Sequence, residues 1–197
     1  KMELSRAQTE DPHQFEASAT VTDCTEAEEG VFEVRLSETI FYPEGGGQPA
    51  DRGRVGEAEL HDCERDSSGE IVHRVDRRLE PGTECELAVD AGRRLDLMQQ
   101  HTAQHLITAI ADDEFGLPTV SFHLGEAYAA IDVDAQSVSR PTLRRLQERG
   151  NEEIRMARPV RFEFVDRESF ERMDVRSRGL PDDHHGEHAA HEVVGEQ

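Results

Sequence analysis

Two histidines, His101 and His105, stand four residues apart inside Leu97-Met98-Gln99-Gln100-His101-Thr102-Ala103-Gln104-His105-Leu106. On a helix that spacing puts both imidazoles on one face, with Cβ atoms about 5–6 Å apart, so both can turn to one metal ion. The plain alternative is a polar helix face bearing two partly exposed histidines, because HxxxH is a common pattern. No Glu stands between them as in HExxH, which disfavours a metalloprotease helix. A zinc site needs at least a third ligand, and the spacing does not locate it.

Three further stretches could carry chemistry. In Phe41-Tyr42-Pro43-Glu44-Gly45-Gly46-Gly47-Gln48-Pro49-Ala50-Asp51-Arg52-Gly53, three consecutive glycines cost backbone entropy and therefore need a reason. Either Gly45, Gly46 and Gly47 bring bare backbone N–H groups close to an anionic ligand, or they form a wide turn between strands. The stretch is neither a Walker loop nor GxGxxG. Thr119-Val120-Ser121-Phe122-His123-Leu124-Gly125 sets a lone histidine among apolar residues, where a core position is the commoner outcome. Lastly, Arg140, Arg144, Arg145, Arg149, Arg155, Arg158 and Arg161 face only Glu148, Glu152 and Glu153 over the same span. That local reversal of charge suits a phosphate backbone, and a helix face laced with i,i+4 ion pairs explains it equally well.

The elements that must position these residues change character along the chain. Candidate strands fall at Glu16 to Thr22, Val31 to Leu36, Arg54 to Leu60, Glu70 to Val75 and Glu84 to Val89, separated by turns such as Asp66-Ser67-Ser68-Gly69 and Glu80-Pro81-Gly82. Short strands at that spacing predict a small β-barrel. From about Arg94 to Asp112, Met98, Leu106, Ile107 and Ile110 recur at helical spacing until Gly116-Leu117-Pro118. Tyr128 to Val133 reads as a strand, and Pro141 opens a second helix with Leu143, Leu146, Ile154 and Ala157 on one face. Val160 to Phe164 alternates as a strand, and Arg167 to Met173 fits a short helix. The fold class is therefore α+β: a barrel over residues 1–91, an α+β domain over 92–178, and a polar, histidine-rich tail over 179–197 read as loop or disorder.

Composition bounds the rest. The 197 residues carry 43 Asp plus Glu against 22 Lys plus Arg, a net charge of −21, and Lys1 is the single lysine. Arg hydrates more weakly than Lys and pairs better with carboxylates. At molar salt the Debye length falls to about 3 Å, which screens the self-repulsion of such a surface. The pattern predicts a halophile's cytoplasmic protein, since mere acidity does not explain the missing lysines. No apolar run is long enough to span a membrane, and the polar first residues lack the apolar stretch of a secretory signal. Cys24, Cys63 and Cys85 follow no metal or disulfide spacing and read as free thiols.

Taken together, the blocks at 41–51, 93–106 and 119–125 resemble successive blocks of the free-standing alanyl-tRNA editing proteins (AlaX), relatives of the editing domain of alanyl-tRNA synthetase. The resemblance runs from about Phe15 to Glu187. It implies a barrel like those of translation factors, followed by an α+β editing domain that hydrolyses the ester of tRNA(Ala) mischarged with serine, and often glycine. It also implies Zn²⁺, with His101 and His105 as two ligands. The family's other two come from a later Cys-Gly-Gly-Thr-His block, which does not occur in this sequence. A chain cut short of that block, with a weakened zinc site, is the expectation; completion by His184, His185, His188 and His191 of the tail is the alternative.

The chemistry implied is hydrolysis of an activated ester. A zinc ion would either lower the pKa of a bound water or hold the substrate's amino group. Serine exceeds alanine by one hydroxyl, so only a site that hydrogen-bonds that hydroxyl can reject alanine. Thr102, Gln104 and His123 are the catalytic-pocket candidates. Gly45, Gly46 and Gly47 are expected near the tRNA 3′ end, and Arg144, Arg145 and Arg149 on its phosphates. Two rivals stand beside this reading: a non-catalytic tRNA- or protein-binding remnant, and a zinc hydrolase of another small ester or amide.

Overall fold

The computed structural model describes residues 11–45, 47–125, 128–173 and 189–193. The first half is a closed antiparallel barrel in the order β1-β2-β5-β4-β3-β6. Its strands are β1 (Glu16–Glu28), β2 (Val31–Leu36), β3 (Gly53–Val55), β4 (Ala58–Arg65), β5 (Ile71–Val75) and β6 (Glu84–Val89). Alternation dictates the closure. Val21, Val34, Val55, Leu60, Val75 and Leu87 point inward, each no more than 1% exposed, while their neighbours in the strands are mostly charged or polar. β1 is long enough to pair twice. Glu16–Thr20 lie against β6 in a register that runs from Glu16↔Ala88 to Thr20↔Glu84, and Val21–Glu28 run along β2.

The barrel that the sequence predicts is present, with one strand divided. The single candidate from Arg54 to Leu60 is two strands, because Gly56 adopts φ +58° and turns the chain between Val55 and Ala58. A hydrophobicity pattern carries no record of that dihedral angle. Cys24 and Cys63 are buried free thiols and Cys85 is half-buried. One histidine also belongs to the barrel core. His73 donates from Nδ1 to the Val34 carbonyl at 3.1 Å and accepts at Nε2 from the Thr39 hydroxyl at 2.8 Å. Burial favours its neutral form and lowers its pKa to about 4.

The barrel hands over to helix α1 (Ala91–Phe115). Asp90 starts it: its carboxylate accepts from Arg93 N at 3.0 Å, and its carbonyl from Arg94 N at 2.9 Å. Gly116, at φ +62°, ends it, with Leu117 N donating back to the Ala111 carbonyl at 2.9 Å and Pro118 barring continuation. β7 (Thr119–Leu124) and β8 (Ala129–Val133) form a two-stranded hairpin. Helix α2 (Arg140–Met156) begins on a Ser139 cap and stops at Ala157, which takes the left-handed conformation at φ 48°. β9 (Arg161–Val165) and the short α3 (Arg167–Arg172) follow, and β10 (Ala189–Val193) pairs antiparallel with β9.

That last strand corrects the reading of residues 179–197 as loop or disorder, for 189–193. Those residues gain their order from β9, whose backbone supplies the hydrogen bonds; no local periodicity announces it. The other tail residues, including His184, His185 and His188, lie outside the described ones. By contacts the chain divides into two units: residues up to Thr102 with Phe122–Ala130, and Ala103–Ser121 with Ile131 onward. No helix among the described residues is long and apolar enough to cross a membrane.

Candidate active site

The first block clasps the start of α1. Arg94, 1% exposed, donates from Nε to Asp51 Oδ1 at 2.8 Å and from Nη2 to Asp51 Oδ2, and Asp51 is itself 1% exposed. The same guanidinium donates to the Ile40 carbonyl at 2.8 Å and to the Pro12 carbonyl at 3.1 Å, and lies 3.9 Å from the centre of the Tyr42 ring. Asp51 Oδ2 also accepts from Tyr42 N at 2.6 Å. Each guanidinium nitrogen that burial takes from water thus finds a partner, the condition under which such a pair is tolerated. Arg93 adds a bond of 3.3 Å to the Ala50 carbonyl. Loop 40–51 and the first turn of α1 are one clasp.

His101 rises two turns further along α1 and is half-buried. Its Nδ1 lies 2.9 Å from Gln48 Oε1 of the glycine-rich loop, and its ring centre lies 6.0 Å from that of Phe122 at a tilt of 35°. The contact division falls inside α1, between Thr102 and Ala103, so the relation of His101 to His105 is the helix's own: one turn, same face. His105 is exposed.

The glycines divide by role. Gly47 has φ +82°, and a Cβ there would sit 2.9 Å from Phe122 Cε2. The positive φ favours glycine outright, and any side chain would also have to displace the Phe122 ring. A Cβ at Gly45 would meet nothing within 4 Å. Gly46 lies outside the described residues.

Of the three pocket candidates, Gln104 is the most constrained. It is 4% exposed and donates from Nε2 to Thr108 Oγ1 at 2.9 Å, and Thr119 Oγ1 donates to the same hydroxyl at 3.0 Å. Its own Oε1 is buried and has no hydrogen-bond partner among the described residues. Successive helical residues are about 100° apart, so Thr102 and Gln104 flank the histidine stripe on opposite sides. Thr102 is half-buried. His123 is exposed on β7, not a core residue, because alternation along that strand sends Leu124 inward instead. Sequence reasoning misses Thr108, although it extends 101 and 105 to the i, i+4, i+7 pattern of one helix face. It also misses Gln48, Phe122 and the Asp51–Arg94 pair, which no sequence spacing links.

The arginine segment resolves into two behaviours. Arg149 binds Glu152 at 2.7 Å, Glu114 at 2.9 Å and Glu153 at 3.0 Å, and Arg158 binds Glu153 at 2.7 Å. Hydrogen bonds from Arg158 and then Arg149 hold the Glu153 carboxyl below the usual range. Arg149 therefore follows the ion-pair alternative. Arg140, Arg144, Arg145 and Arg155 are exposed and make no ion pair among the described residues.

The donor set fits a zinc ion as far as it goes. His101 and His105 stand one turn apart on one helix face, and Gln48 Oε1 meets Nδ1 of the first. Among the described residues no group of three or more His, Cys, Asp or Glu converges to complete a set.

No family model matches the chain. It is 43% identical over 155 residues to the alanyl-tRNA editing protein Aarsd1 of Bos taurus, covering 79% of this chain and 35% of that one. The Mus musculus protein of the same name is 37% identical over 188 residues, covering 89% and 45%. The alanine–tRNA ligase of Methanopyrus kandleri is 38% identical over 147 residues, covering 71% and 16%. The chain thus spans less than half the length of these relatives.

Proposed function

Since the chain belongs to the alanyl-tRNA editing proteins, we propose that it is a cytoplasmic hydrolase that deacylates tRNA(Ala) mischarged with serine, with glycine as a second substrate. The observation that carries the serine reading is Gln104. Its buried oxygen lacks a partner among the described residues, and a serine hydroxyl would supply the missing donor. Alanine would leave the oxygen unpaired, at a cost of about 1–3 kcal/mol, and is rejected on that ground without steric exclusion.

Deacylation adds water to the ester carbonyl and releases the terminal ribose hydroxyl of the tRNA. Thr108 and Thr119 orient Gln104 through a chain of hydrogen bonds, and Gln104 in turn orients the aminoacyl group. His101 and His105 would hold zinc, which supplies either a water of lowered pKa or an anchor for the substrate's amino group. Thr102, on the other flank of the histidine stripe, offers a hydroxyl to the bound substrate. His123, being exposed, is suited to meet the tRNA end instead of the amino acid. Arg144 and Arg145, with Arg140 and Arg155, offer their guanidinium groups to phosphates.

The test is deacylation of Ser-tRNA(Ala), Gly-tRNA(Ala), Ala-tRNA(Ala) and a free seryl ester, with zinc content measured in the same samples. The reading expects the serine substrate to be cleaved well ahead of the alanine one, the free ester to be cleaved poorly, and His101→Ala to abolish activity. Zinc-free protein that is fully active, and indifferent to His101→Ala, refutes the zinc mechanism. Equal rates on tRNA and free ester point to a different small-ester hydrolase, and zinc-replete protein without any cleavage points to a binding module.

A further inference from the structure

The glycine-rich loop does more to His101 than approach it. Gly45 and Gln48 bond backbone to backbone in both directions, at 3.1 and 2.9 Å, which closes a four-residue turn and fixes where the Gln48 side chain starts. Gly47, at the third place of that turn, lets the Phe122 ring settle against its bare Cα. Phe122 then lies along one side of the His101 ring, and the Gln48 carboxamide meets the ring's Nδ1 edge at 2.9 Å. Turning the ring over about its last torsion would put a carbon in place of Nδ1 and break the contact with Gln48.

From this geometry we propose that Gln48 is a positioning residue that sets the tautomer of His101. An amide oxygen can only accept, so the nitrogen facing it must carry the proton. In a neutral imidazole that leaves the lone pair on Nε2, the nitrogen on the far side of the ring from the loop. A histidine so fixed presents a ligand nitrogen without first having to move a proton or turn its ring. The role in metal binding rests on the zinc reading above; the tautomer does not depend on it.

The experiment uses the full chain with ¹⁵N-labelled histidine, stripped of metal by chelation, with His101→Asn to assign the signal. Long-range ¹H–¹⁵N spectra of the neutral ring report which nitrogen is protonated, and competition with a chromophoric chelator reports zinc affinity. Wild-type His101 is expected to carry its proton on Nδ1. Gln48→Leu, which keeps the bulk and removes the acceptor, should move much of the population to the Nε2–H form and weaken zinc by about tenfold or more. Gln48→Glu, which restores an acceptor, should restore both. If Gln48→Leu does not fold, Gln48→Asn draws the amide back by one methylene and gives the same two readouts.

A wild-type proton on Nε2, or a tautomer indifferent to Gln48→Leu or Gln48→Asn, overturns the proposal. A shifted tautomer with unchanged zinc affinity supports the tautomer assignment and refutes its role in metal binding. Wild-type chain that keeps the Nδ1 proton, loses it in Gln48→Leu, and yet binds no zinc supports the tautomer assignment and refutes the zinc reading instead.

Discussion

Gln104 donates to Thr108 one turn along the same helix, at 2.9 Å, and the bond leaves its own buried oxygen with no partner among the described residues. A group in that state costs stability while the protein rests and gains its partner only when a ligand arrives. Stability and activity therefore move in opposite directions at this residue. Gln104→Leu is expected to leave unfolding free energy level or about 1 kcal/mol higher, because the unmet acceptor goes with the lost bond to Thr108. Deacylation of Ser-tRNA(Ala) should fall by roughly a hundredfold or more. Urea unfolding and the deacylation rate, taken on the same preparation, check both; a parallel fall in the two would make Gln104 structural only.

The Asp51–Arg94 pair behaves in the contrary way. Both side chains are 1% exposed, so removing one strands the other as an uncompensated buried charge. Arg94→Leu alone and Asp51→Leu alone should each cost about 3–5 kcal/mol, while the double variant recovers a large part of that loss. Chemical denaturation of the three variants measures the coupling. Additive losses would mean that the two side chains stabilise the clasp separately.

Acid should weaken the barrel through His73. Its pKa is about 4 when folded against an ordinary 6.5, so between those values the unfolded chain binds the extra proton. Stability contributed by neutral burial is fully present above about pH 6.5 and is lost as pH falls toward 4, by about 3 kcal/mol at the limit. Urea midpoints across that range should decline, and His73→Gln should flatten the decline. A wild-type profile level from pH 7 to 5 would contradict the assignment.

Salt should act on two scales. The charge of −21 with one lysine predicts a higher melting temperature in about 3 M KCl than in dilute buffer, where self-repulsion is unscreened. Circular dichroism in both media checks this, and equal melting would remove the halophile reading.

Binding to tRNA should show the reverse sign. Arg144→Gln and Arg145→Gln are each expected to reduce the slope of log affinity against log salt by about 0.7–0.9, one phosphate's worth. Arg149→Gln should leave that slope alone, since its guanidinium is committed to Glu114, Glu152 and Glu153. Titration with tRNA across salt concentrations separates the two kinds of arginine.

Much of the fold is legible in the sequence because it is written locally. Phe32, Val34 and Leu36 alternate, and β2 follows; Gly116-Leu117-Pro118 stops α1 where a C-cap requires. Gly56 escapes because a φ of +58° leaves no mark in a hydrophobic pattern, and β10 escapes because β9 orders it from outside. The same division holds for the site. His101 and His105 announce themselves through the helix period, and Thr108 does so once the period is extended. Gln48 and Phe122 meet His101 only after the chain has folded, across 53 residues in the case of Gln48. The Gly47 requirement can be suspected from cost alone; its cause, the Phe122 ring, cannot.

The double pairing of β1 has a consequence for synthesis. Its later half finds β2 within a few residues, but Glu16–Thr20 wait for Glu84–Ala88. At about 5–20 residues per second, the intervening stretch takes roughly 3 to 13 seconds to make. Throughout that interval the emerging chain presents an open strand edge, the feature by which nascent chains add to one another. Glu16, Ser18 and Thr20 alternate with Ala17 and Ala19 along it, so the waiting edge is short, small-sided and carries a carboxylate at its tip. Ala19 joins the closed barrel's core and Ala17 packs against it, while Glu16, Ser18 and Thr20 help to keep the unfinished form solitary.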